Sequence, residues 1–155
     1  MKLVSACLLG IRCNWKGDES YLDHKVVQLA REGLLLPVCP EQLGGLPTPR
    51  SPQEIQGGDG EAVLDGKARV VSREGVDVTA QFIRGAEETL KIARLLGITE
   101  FIGKSGSPSC SCDWIYDGSF SGGRVPGKGI TAALLERNGI RLLAVDDLEK
   151  SDRPG

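Results

Sequence analysis

Histidine is almost missing from this chain of 155 residues: His24 stands alone. It falls among the polar residues of a predicted helix, so it is expected to be exposed, and a Cys–His nucleophilic dyad is not expected. Aromatic residues are also scarce, at 5%, while glycine reaches 21 residues. That balance predicts many tight loops, with much of the chain serving a site rather than packing. A basic excess is lacking too, with 19 Lys and Arg against 21 Asp and Glu. Sequence-independent binding of long nucleic acid needs phosphates neutralised by Lys and Arg, so a small-molecule partner is expected and long nucleic acid is not. The apolar run Leu34 to Val38 is far too short to span a bilayer. The N-terminal residues Met1 to Cys7 lack the apolar core of a signal peptide. The expected location is the cytoplasm, with no membrane contact. Disulfide pairing is disfavoured in that compartment, and the five cysteines are odd in number with no Cys-x-x-Cys spacing. Clustered cysteines there more often serve metal binding or catalysis.

What is present is a globular pattern, with 40% hydrophobic residues. One domain is expected over 1–148, followed by a polar tail at 149–155. Lys2 to Leu9 reads as a buried strand and its following loop, and Tyr21 to Glu32 as a helix stopped by Gly33. Leu34 to Val38 reads as a second strand running into Cys39-Pro40-Glu41. Residues 44–60, rich in Gly and Pro, are expected to be a long loop. Glu61 to Leu64 and Lys67 to Ser72 read as a hairpin about Asp65-Gly66. Asp77 is placed to cap a helix running to about Leu96, with Phe82, Ala86, Leu90, Ala93 and Leu95 or Leu96 as its buried stripe. Glu100 to Gly103, Ile130 to Arg137 and Arg141 to Asp146 read as strand, helix and strand. This order predicts the α/β class: a Rossmann-like domain whose mostly parallel sheet is flanked by helices, with a β-hairpin excursion.

Three cysteines then take on meaning by position. Cys7 follows the first strand, Cys39 ends the second and Cys110 lies just past the third. Ligands of open parallel sheets bind beyond the carboxyl ends of the strands, so the three can converge on one metal or catalytic site. The competing reading is that each is a small buried hydrophobe. Cys13 is a ligand, a spare or a sulfur-handling thiol. Cys112 forms a Cys-x-Cys pair with Cys110. Gly122 to Gly129 nearly matches a phosphate-binding loop, but Gly129 stands where Ser or Thr must reach magnesium. Nucleotide hydrolysis is therefore not expected, although the loop or Thr131 could lie near a substrate anion. Trp15 and Trp114 are candidates to stack on a ring, shield the site or pack in the core.

The stretches Cys7-Leu8-Leu9-Gly10-Ile11-Arg12-Cys13, Pro37-Val38-Cys39-Pro40-Glu41 and Lys104-Ser105-Gly106-Ser107-Pro108-Ser109-Cys110 resemble the family of small proteins that includes the thiouracil desulfidases. Pro47-Thr48-Pro49-Arg50, Val76 to Thr79 and Gly129 to Leu135 are similar to that family as well. Two segments depart from it. Asn14-Trp15-Lys16-Gly17 replaces the usual Arg-Tyr-Asp-Gly, and Ser111-Cys112 follows Cys110 where the family usually has Gly.

The resemblance implies an oxygen-sensitive [4Fe-4S] cluster on Cys7, Cys39 and Cys110, with Cys13 as the alternative ligand. Three thiolates leave one iron of a cubane open as a Lewis acid. The implied reaction is non-redox desulfuration of a thiolated pyrimidine, thiouracil or a relative, to uracil and sulfide. In that reading Glu41 is the general base toward water and Ser107 binds the pyrimidine ring or the water. Ser109, Lys104 and Arg50 join Ser107 as substrate-side residues, and Lys104 can also offset cluster charge. Read without the family, Glu41 and Arg50 are solvated loop residues, Lys104 is a surface lysine, and Ser107 and Ser109 tighten a Ser-Pro turn. The rival functions are a structural zinc protein, which needs four closed ligands, and a thiol redox protein using Cys110 and Cys112.

Overall fold

A computed structural model describes residues 1–148; the expected tail at 149–155 lies outside the described residues. Four strands form the central sheet: β1 (Lys2–Ser5), β2 (Leu35–Val38), β5 (Glu100–Gly103) and β8 (Arg141–Ala144). They run parallel in the order β2-β1-β5-β8. β2 is an edge strand, which is where Pro37 can sit without breaking a central ladder. The chain leaves β1 to one side for β2 and returns to its other side for β5, which opens a crevice at the carboxyl ends.

Alternation along the strands assigns the two faces. Leu3 and Phe101 pack against Leu90 and Ala93 of α4 (Thr79–Leu96) and Ala132 and Leu135 of α5 (Ile130–Arg137). Val4 and Ile102 face the other way, toward Val26 of α1 (His24–Arg31). The α/β expectation holds: a parallel sheet is covered by helices and carries antiparallel excursions. Among the described residues no helix is long and apolar enough to cross a membrane.

Several local readings need correction. The hairpin does not turn at Asp65-Gly66. Residues 60–64 form a short helix, α3 (Gly60–Leu64), because the Asp59 carboxylate accepts from the Ala62 N–H at 3.3 Å and caps it. Asp65-Gly66 is the C-terminal turn of that helix. β4 (Arg69–Ser72) pairs instead with β3 (Gln53–Gln56), inside the stretch read as loop, with Ile55 opposite Val70. A second hairpin pairs β6 (Trp114–Tyr116) with β7 (Arg124–Pro126), two runs of three residues each, too short to announce strands. The first helix starts at His24 rather than Tyr21, since Asp23 caps it through the Lys25 and Val26 N–H groups. The α4 stripe ends at Ala93; Leu95 and Leu96 point to solvent. The last strand stops at Ala144, where a tight turn at Val145–Asp147 begins.

One further helix matters for the site. α2 (Pro40–Leu43) follows β2 directly and packs closely on α4. The approach needs glycine on both sides. A Cβ on Gly44 would strike the Gln81 carbonyl, and one on Gly85 would strike the Pro40 carbonyl. This fixes the first turn of α2, and with it Glu41, against the longest helix.

Candidate functional site

The carboxyl ends of β1, β2 and β5 open into one cavity of about 400 Å³, within the range usual for small-molecule sites. Cys7, Cys39 and Cys110 all line it. Cys7 rides a single tight turn after β1, Ala6–Leu9, closed by Gly10 at φ +78°. Cys39 occupies the position just before α2, still extended. Cys110 comes from the loop after β5, and two glycines let that loop close. A Cβ on Gly103 would strike the Cys110 carbonyl, and one on Gly129 would strike the Ser109 carbonyl.

All three thiols are pushed above their ordinary range, and the causes tie them to one place. For Cys7 they are burial, then Cys110, then Glu41; for Cys110, burial and then Glu41. For Cys39 they are a side-chain hydrogen bond with Cys13, then burial, then Glu41. Burial thus favours the protonated thiols, and a bound cation favours the thiolates.

Glu41 sits in the first turn of α2, and its side chain is only 12% exposed. Oε2 lies 3.8 Å from Cys39 Sγ and 3.8 Å from Arg50 Nη2. Arg50 is 6% exposed. Its guanidinium donates to the Cys13 carbonyl at 3.1 Å, the Pro47 carbonyl at 3.2 Å and Thr48 Oγ1 at 3.2 Å. Both residues are therefore built into the cavity wall, not solvated as isolated loop positions would suggest.

Ser107 lines the cavity and organises the third loop, its Oγ accepting from the N–H groups of Ser109 and Cys110. Ser109 is placed differently. It is buried behind the wall, and its hydroxyl donates to Cys110 Sγ at 3.4 Å. Lys104 lines the cavity, with Nζ 4.0 Å over the Tyr21 ring and donating to the Ser105 carbonyl at 2.7 Å. Burial lowers its pKa, while Cys7, Cys110 and Glu41 pull the other way.

Cys13 is buried on the same wall, and its carbonyl accepts from the Cys39 thiol at 3.6 Å. Cys112 is off the wall. Its Sγ turns to the Cys110 carbonyl at 3.6 Å, and it packs with the core beneath the sheet. Burial pushes its pKa up to about 12. Cys110 and Cys112 touch the same core cluster, but only Cys110 reaches the cavity. Thr131 is fully buried and away from the cavity, so the near-phosphate loop brings no hydroxyl to it. His24 is exposed at the start of α1. Trp15 is on the wall, donating from Nε1 to the Tyr21 hydroxyl at 3.0 Å; Trp114 instead packs against Gly106 and beneath Arg124.

Tyr21, Glu54, Arg73, Tyr116 and Phe120 also line the cavity and were not singled out from sequence. Four of them come from the β3–β4 and β6–β7 hairpins or their loops. Reading Gln53–Gln56 as a strand would have been the signal.

Among the described residues no three Cys, His, Asp or Glu side chains close on one metal ion. A cubane makes a different demand, because each thiolate binds its own iron. Three thiols from three strand ends facing one chamber, with Lys104 and Arg50 beside them to offset charge, fit that demand as a donor set.

A family model for 2-thiouracil desulfurases matches residues 3–147. The chain is 44% identical over 148 residues to the uncharacterized protein YbbK of Bacillus subtilis (strain 168), covering 96% of this chain and 97% of that one. Among solved structures it matches the [4Fe-4S]-dependent thiouracil desulfidase TudS, with a TM-score of 0.82 and 42% identity over 96% of this chain and 93% of that chain. The chain therefore belongs to the 2-thiouracil desulfurase family.

Proposed function

We propose that this protein is a desulfidase that replaces the thiocarbonyl sulfur of a thiolated pyrimidine, thiouracil or a close derivative, by oxygen from water. The balance is thiocarbonyl plus water giving carbonyl plus hydrogen sulfide, with no change of oxidation state. The observation that carries the reading is the convergence of Cys7, Cys39 and Cys110 with Glu41 on one cavity. The 42% identical TudS, named as [4Fe-4S]-dependent, supports it.

Cys7, Cys39 and Cys110 would hold a [4Fe-4S] cluster, with Cys13 as the alternative ligand. When bound, the cluster supplies an open iron that acts as a soft Lewis acid toward the thiocarbonyl.

The chain's own groups do the rest. Glu41 takes the proton from the water that attacks the thiocarbonyl carbon, a role usually worth about 10²–10⁴-fold in rate. Its ion pair with Arg50 holds the carboxylate on the cavity wall. Ser107 hydrogen-bonds the ring or the water, and Ser109 acts from behind by donating to the Cys110 sulfur. Lys104 offsets the negative charge of the thiolates. We place the activity in one domain over 1–148, in the cytoplasm, where thiols stay reduced.

The test is turnover of thiouracil by anaerobically loaded protein, reading uracil by chromatography and sulfide by colorimetry. Equal amounts of both support the reading. Uracil without sulfide, or neither product from fully loaded protein, contradicts it.

A further inference from the structure

Phe120 sits in the loop 117–123 between β6 and β7 and lines the cavity. It is the one non-glycine residue with a positive φ, +57°, among the described residues. A bulky side chain adopts this region rarely, and such strain persists where the surroundings over-determine it and often marks a ligand clamp. Here the surroundings are explicit. Glu54 Oε1 accepts from the Gly118 N–H at 2.9 Å and the Phe120 N–H at 3.2 Å. Gln56 Nε2 donates to the Gly118 carbonyl at 3.0 Å. Gly118 itself must lack a Cβ, which would lie 2.6 Å from the Ile55 carbonyl oxygen. Strand β3 thus straps the loop down through three hydrogen bonds.

The strap does not serve the core. Phe120 is half-buried and belongs to none of the three buried apolar clusters. What it offers is a flat apolar face on a cavity that also holds thiols and charges, and among the aromatic residues of that wall, Trp15, Tyr21 and Tyr116 included, it alone is held at a positive φ. A pyrimidine offers the complementary flat face. We propose that Phe120 is a specificity-determining residue that covers one face of the substrate ring, and that Glu54 is the positioning residue that holds it there. This rests on the reading of the substrate as a thiolated pyrimidine.

The test is calorimetric binding of uracil, which cannot turn over, and of thiouracil to the cluster-loaded full chain, with thermal melts of each variant. Phe120→Ala is expected to weaken uracil binding about tenfold or more, the usual scale of a lost ring stack, while Phe120→Tyr stays within about threefold. Glu54→Ala, which keeps the ring but frees the loop, is expected to weaken it in the same direction. Equal uracil affinity in the wild type and Phe120→Ala overturns this proposal and leaves the desulfidase reading standing. Loss in Phe120→Tyr as large as in Phe120→Ala, with lowered melting in both, assigns a structural role and also overturns it. Failure of the wild type to bind either pyrimidine overturns the substrate reading and this proposal together.

Discussion

The Glu41 carboxylate and the Cys39 thiol meet across a single turn, with Oε2 3.8 Å from Sγ. Cys39 stands between the end of strand β2 at Val38 and the start of helix α2 at Pro40, and Glu41 is the second residue of that helix, so base and ligand are placed by the same few backbone atoms. Glu41→Gln keeps the shape and removes the basicity. Cluster content, read by iron analysis and absorbance, is expected to be unchanged. Turnover is expected to fall by about 10²–10⁴-fold, the usual worth of a general base.

Cys7, Cys39 and Cys110 share the cavity, whereas Cys112 packs outside it. Alanine at any of the first three is expected to abolish stable cluster loading, and Cys112→Ala to leave it intact. Iron and acid-labile sulfide counts after anaerobic reconstitution check this. The same counts on Cys13→Ala decide whether that thiol substitutes as a ligand.

Arg50 ties the Cys13 carbonyl to Glu41 from a buried position. Arg50→Ala takes the guanidinium from the Cys13 carbonyl and the Glu41 carboxylate and leaves the long Cys39 thiol contacts in its place, so a loss of about 1–3 kcal/mol in unfolding free energy is expected by denaturant titration. Arg50→Lys is expected to recover only part of it, since an ammonium cannot span the same acceptors as a planar fork.

Gly103 lets the third loop fold back over β5. Gly103→Ala would drive its Cβ into the Cys110 carbonyl and to 2.8 Å from Cys112 Sγ. Overpacking of this kind costs about 1–3 kcal/mol. Lower thermal stability together with weakened cluster loading is the expected result, because the displaced atom belongs to a proposed ligand.

The empty protein should lose stability at alkaline pH. Cys7, Cys39, Cys110 and Cys112 all have folded pKa values above the unfolded value of 9.0, chiefly through burial for Cys7, Cys110 and Cys112 and through the Cys13 hydrogen bond for Cys39. A raised folded pKa means the native state holds protons that the unfolded state releases. Their stabilisation is complete below about pH 9 and declines above it, up to about 12 for Cys112. Lys104, whose folded pKa is lowered, acts in the opposite direction approaching 10.5, but it is one group against four. Denaturation midpoints of cluster-free protein are expected to be flat from neutral pH to about 9 and to fall beyond it.

The parallel sheet and the three cysteines at its carboxyl edge were legible because short apolar runs such as Leu3-Val4 and Phe101-Ile102 end directly at the motifs. The burial of Glu41 and Arg50 was not. It depends on Gly44 and Gly85 bringing α2 against α4, and on Arg50 reaching back to Cys13 across 37 positions. The hairpin expected about Asp65-Gly66 is a helix at its first arm because a cap, Asp59, outweighs the β-prone residues after it. Phe120 was invisible for a related reason: its place is set by Glu54, which lies 66 residues away.

The most direct measurement is anaerobic reconstitution of the full chain, with iron and sulfide counted per chain and uracil release assayed from thiouracil on the same sample. The account predicts about four irons and four sulfides per chain, a loss of both on exposure to air, and uracil formed with an equal amount of hydrogen sulfide. A chain that takes up one tightly held zinc, assembles no cluster and releases no uracil would contradict it.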